Sequence, residues 1–207
     1  MPEQPFFVSV ATVAAGLGRV RRIASELSLA AVNAKVISVR AGTQAAGFRP
    51  ITDFIDEAAR ATEKLGNALE AGTLAVSRSA VSERRAADAL RRLRRAAAGA
   101  SRDETSLEAV IDRCDAARTA ISKSMTRSIR TLDGLLDQIS AHMMCISVIT
   151  VQSRIEARQA GTYRPNLEAI AASMSSAAEQ VTAIVQQSRL DLRDALAARV
   201  EHARSKG

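Results

Sequence analysis

The chain has 207 residues, with 29 lysines and arginines against 22 aspartates and glutamates, a formal charge of +7, 2% aromatic residues and no tryptophan. That length suits one domain of ordinary size. A composition dominated by alanine, leucine, arginine, serine and glutamate excludes a sheet-rich core, which draws on Val, Ile, Tyr and Phe in short bounded runs. The surplus of positive charge can attract anionic partners. The two cysteines, Cys114 and Cys145, form neither a disulfide framework nor a metal knuckle, which fits a reducing compartment.

The first element is an apolar run from Phe6 to Leu17. It does not read as a secretory leader, because no basic residue precedes it and Arg19, Arg21 and Arg22 lie on its far side. It is also too short to span a bilayer. With no other long, charge-free stretch expected, the chain is expected to be cytoplasmic and not inserted in a membrane.

Prolines occur only at Pro2, Pro5, Pro50 and Pro165, so very long helices are allowed between them. Three punctuation points divide the chain: AGTQAAGFRP at 41–50, AAGASRDET at 97–105 and AGTYRP at 160–165. Each offers a glycine for a helix C-terminus, and two end in a proline suited to a first helical turn. Ser101 and Glu104 have capping-box spacing. The expected helices lie near 8–42, 50–98, 103–160 and 165–204.

Apolar residues within them recur in steps of three and four. The second helix gives Ile55, Ala58, Thr62, Leu65, Leu69, Val76, Leu90 and Leu93; the third gives Leu107, Ile111, Cys114, Ile121, Met125, Leu132, Leu135, Ile139, Ile146 and Ile149. The fourth gives Leu167, Ile170, Met174, Ala177, Val181, Ile184, Ser188 and Leu192. This is the narrow seam of a coiled coil. The expected fold is all-α: a long antiparallel four-helix coiled-coil bundle, built as a single domain from two fused helical hairpins. The first hairpin spans 1–100 with its tip at 42–49, and the second spans 101–207 with its tip at 161–165.

The two tips repeat each other. Ala41-Gly42-Thr43 matches Ala160-Gly161-Thr162, and Phe48-Arg49-Pro50 matches Tyr163-Arg164-Pro165, while the second copy lacks Gln44 to Gly47. The flanks keep register, pairing Val20 with Ile139, Leu27 with Ile146, Val36 with Ile155 and Ile55 with Ile170. The chain reads as a tandem duplication, expected to form a monomeric pseudo-dimer with a domain-swapped dimer as the alternative.

The string NAKVISVRAGTQAAGF, Asn33 to Phe48, resembles the hairpin tip of bacterial methyl-accepting chemotaxis receptors, which read roughly N-A-A-I-E-A-A-R-A-G-E-Q-G-R-G-F. Asp53, Ile55 and Ala59 fall on that family's next motif. In the second copy Ile155-Glu156-Ala157 and Ala160-Gly161 match, while Gln159 replaces the arginine. Ile37 stands where the family has its tip glutamate, which Glu156 keeps. The resemblance implies a tip that binds a chemotaxis histidine kinase, its coupling adaptor or chemoreceptor signalling domains through Asn33, Arg40, Gln44, Phe48 and Glu156. No cofactor is expected, and the chain is not expected to be an enzyme.

Other readings compete. Arg84, Arg85, Arg91, Arg92, Arg94 and Arg95, with Arg199, Arg204 and Lys206, make the end opposite the tips basic. The rival function is therefore a helical scaffold that binds DNA or another polyanion there, chiefly through Arg84, Arg91, Arg92 and Arg95. The run His142-Met143-Met144-Cys145 reads as core packing with His142 on the seam. Glu179-Gln180 looks like a methylation pair but lies close to the tip. No phosphate-binding loop, metal cluster or nucleophile motif marks an enzyme.

Overall fold

The structure is a computed structural model that describes residues 4–99 and 105–204. These form four α-helices and two short 3-10 turns: α1 (Gln4–Arg40), a turn at Gly42–Ala45, α2 (Phe48–Gly99), α3 (Thr105–Ala157), a turn at Gly161–Tyr163 and α4 (Arg164–Arg204). The all-α bundle is as expected. Each helix packs on its neighbours in the chain, and α4 closes the ring against α1. The order is up-down-up-down, with both tips at one end and the end of α2 and the start of α3 at the other. At 1.5 Å per residue, the 52 residues of α2 run about 78 Å.

Helix ends differ from the sequence expectation by a few residues. α1 stops at Arg40, just before Gly42 opens a 3-10 turn, and α3 stops at Ala157, because Arg158, Gln159 and Ala160 tighten into 3-10 geometry ahead of Gly161. α2 starts at Phe48, which places Pro50 in the first turn, where its missing N–H has no intrahelical partner to lose. Ser101 and Glu104, and their capping box, lie outside the described residues.

The buried face is wider than the seam. Ile129, Leu136 and Met143 on α3, and Ala171, Ala178 and Val185 on α4, are fully buried beside the expected positions. A helix with two neighbours in a ring buries a broader stripe than a two-helix seam does. The core repeats between hairpins: Val20 and Ile139 are both fully buried, as are Ala24 and Met143, and Val36 and Ile155 are both exposed. His142 is a correction. Met143 takes the core position, and His142 is half-buried at its edge, 3.3 Å through Nδ1 from Thr62 Oγ1. The Thr62 hydroxyl already donates to the Ala58 carbonyl at 2.8 Å, so Nδ1 is the donor in the Thr62 contact.

The uncharged run of α3 between Asp137 and Arg154 also departs from expectation. α3 contains an 18-residue window of mean hydropathy 1.4, long and apolar enough by composition to cross a membrane, with 28% of it buried in the bundle. The run is apolar on two faces at once. Ile139, Met143 and Ile146 fill the core, while Met144, Val148 and Val151 point outward.

Candidate functional site at the hairpin tips

Both tips turn on the same chemistry. Gly42 has φ +63° and Gly161 φ +54°, left-handed values that cost a residue with a Cβ about 1–2 kcal/mol. Each glycine follows an alanine and opens a 3-10 turn. The extra residues of the first tip then fold across the end of the bundle. Ala45 is buried in the core, Gly47 sits against the Glu156 side chain, and the Gln44 amide oxygen lies over Gly161. A Cβ on Gly47 would overlap the Glu156 carboxylate, and one on Gly161 would fall 2.7 Å from Gln44 Oε1. The two tips are thus one joined surface.

Asn33 and Arg40 are exposed. Gln44 is exposed and also bridges the tips. Glu156 is half-buried, accepts a 3.3 Å hydrogen bond from Gln152, and lies beside the residue that precedes α2. A carboxylate there meets the positive end of the helix dipole. Phe48 is corrected: it is 0% exposed and fills the core beneath the turn. It holds the tip in shape and offers no contact surface. Its counterpart Tyr163 is half-buried and packs on the same core.

Sequence reading missed the residues around the tip that present most apolar surface. Leu29, Val32, Val36 and Val39 form an exposed stripe on α1, and Met144, Val148, Val151 and Ile155 form one on α3. Val36 is 46% exposed, Ile155 49% and Met144 71%. The spacing of three and four keeps each stripe on one helical face. Because α1 and α3 stand across the ring from one another, the stripes face opposite sides of the bundle. Their signal in the sequence is a second apolar series offset from the core series. It was masked because both series run through the same small and β-branched residues.

Polar links stitch the first hairpin along its arms. Lys35 pairs with Asp53, and Arg21 with Glu70 at 3.0 Å. Ser28 donates to Asp56, which also pairs with Arg60 at 3.0 Å. Partial burial works to raise the Asp56 carboxyl. The hydrogen bonds from Ser28 and Arg60 and the charges of Arg60 and Lys35 outweigh it and hold the group below its ordinary value. The second hairpin is tied farther from the tip, where Arg189 bridges Asp133 and Asp137.

Comparison with family models, curated proteins and solved structures finds no match to this chain.

At the far end Arg84, Arg85, Arg91, Arg92, Arg94 and Arg95 are all exposed on α2. Arg91 pairs with Asp88, and Glu83 precedes Arg84 in the chain. Lys206 and the side chains of Arg199 and Arg204 lie outside the described residues. Glu179 and Gln180 are exposed on α4, held by Ser175 at 3.2 Å and Ser176 at 3.3 Å. Cys114 is half-buried and Cys145 exposed. Among the described residues no cluster of His, Cys, Asp and Glu could hold a metal ion.

Proposed function

We propose that this chain is a chemoreceptor-like signalling protein of the cytoplasm. It acts by binding, with its joined tips engaging a chemotaxis kinase–adaptor assembly or receptor signalling domains. In this reading the two hairpins are tandem copies that assemble within one polypeptide what receptors assemble from two. The observation that supports it is the pair of exposed apolar stripes that run up to the tip in matching positions on α1 and α3. Contiguous apolar surface on a helical rod has no role in the fold it flanks, and such surface marks interaction sites. The resemblance of Asn33 to Phe48 to the receptor tip supplies the partner class.

The test is calorimetric titration of the purified coupling adaptor and kinase from the same organism with the wild-type protein and with Val36→Ser/Ile155→Ser. Saturable binding that the double variant weakens at least tenfold supports the reading. Absence of binding to either partner contradicts it. Binding of a DNA duplex that is lost on neutralising Arg84, Arg91, Arg92 and Arg95 would favour the rival polyanion scaffold.

A further inference from the structure

We infer that the joined tips recognise an acidic, partly apolar face of a protein partner, through a crown of arginines that the bundle leaves unneutralised. Arg40 ends α1, Arg154 lies in the last turn of α3, Arg158 follows it, and Arg49 lies in the first turn of α2. All four are exposed, and their guanidinium groups make no hydrogen bond or ion pair with any described residue. Of the acids near them, two are paired with other cations and Glu156 alone keeps its charge, one against four arginines. Glu156 lies on Gly47 and accepts from Gln152, Asp53 holds Lys35, and Glu168 holds Arg164 at 2.8 Å.

Helix electrostatics explain three of the four arginines and not Arg49. A cation suits the C-terminus of α1 or α3, where the dipole is negative. Arg49 stands at the positive end of α2, where stability favours Asp or Glu, and that helix has no acidic residue in its first turn; Arg164 stands likewise on α4 but is paired with Glu168. The fold thus places Arg40, Arg49, Arg154 and Arg158 at one end with no ion pair among the described residues. An anionic partner resolves that arrangement.

The partner class follows from what borders the arginines. Val39 adjoins Arg40, and Ile155 precedes Arg158 by less than a turn; both are exposed. A protein helix with acids beside an apolar face matches both features. A nucleic acid matches only the charge: Phe48 is buried and Tyr163 half-buried, which leaves Phe54, 44% exposed, as the one exposed ring among the described residues, too few for a stacking platform.

This deepens the proposed function and rests on the tips being the binding end. The probes are a synthetic amphipathic helix of about 20 residues with Leu and Val on one face and Glu beside it, polyglutamate of equal charge, and a duplex of about 20 base pairs. Each is titrated by fluorescence anisotropy at low and at near-physiological salt. The amphipathic helix should bind at least tenfold tighter than polyglutamate or duplex, and more weakly as salt rises. Arg49→Glu/Arg158→Glu should lower its affinity at least tenfold with helicity unchanged, and Arg84, Arg91, Arg92 and Arg95 all changed to Ala should not. Tightest binding to the duplex, no binding of the helix, or loss only in the far-end variant would overturn the inference. Adaptor binding that ignores Arg49→Glu/Arg158→Glu would also overturn it while leaving the tip as the binding end.

Discussion

The Gln44 side chain of the first tip lies directly over Gly161 of the second, close enough that a Cβ on Gly161 would fall 2.7 Å from its amide oxygen. The four residues that the second tip lacks are therefore what close the end of the bundle. This gives the two turn glycines different surroundings, since nothing lies within 4 Å of a Cβ on Gly42. Gly42→Ala should cost only its backbone strain, about 1–2 kcal/mol. Gly161→Ala should cost nearly the same, because the atom it meets is the free end of the exposed Gln44 side chain, and Gln44→Ala in the same chain should change that cost little. Thermal unfolding of the two single variants and the double variant reads this directly.

Phe48→Ala should destabilise the protein by about 3–5 kcal/mol, the range for truncating a buried aromatic ring. Arg40→Ala, at an exposed and unpaired site, should change stability by no more than about 0.5 kcal/mol. Urea unfolding separates them, and similar small effects would mean that Phe48 does not fill the core.

Ile37→Glu restores the residue that receptor tips carry, yet should destabilise. Glu156, its counterpart, is received by Gly47, and the second tip has no residue equivalent to Gly47 to receive a carboxylate from Ile37. Ile37 instead packs half-buried on the core. A loss of about 1–3 kcal/mol is expected from exposing a charge to that apolar edge, measured as a lower urea midpoint.

The Asp56 carboxyl titrates below its ordinary value. Its contribution is therefore fully present above the unfolded-state value near 4 and is lost as pH falls through the lower folded-state value. Asp56→Asn should lower the melting temperature at pH 7 by roughly 2–4 °C, for a loss of about 1 kcal/mol. The gap between variant and wild type should close in strong acid.

Much of the fold was legible because its signals are local. Gly42 and Gly161 stop helices by backbone conformation, and the pairing of Val20 with Ile139 or Leu27 with Ile146 carries the core from one hairpin to the other. What a seam cannot show is how wide the buried face is, so Leu136 and Met143 were passed over for Leu135 and His142. The tip was legible as a string but not as a shape. Whether Phe48 points in or out, and whether Gln44 reaches the other hairpin, depends on how two turns far apart in the chain meet. The exposed stripes were hidden because Val36 and Ile155 look like core residues until the helices are placed.

The central claim is that partners bind at the tips. Hydroxyl-radical footprinting of the protein alone and in complex with the purified coupling adaptor tests it most directly, because exposed apolar side chains lie at both ends. Oxidation of Met144, Leu29 and Val148 should fall several-fold on binding, while that of Leu74, Val81 and Leu190 should stay the same. Protection of Leu74 and Val81 with Met144 unchanged would contradict the account.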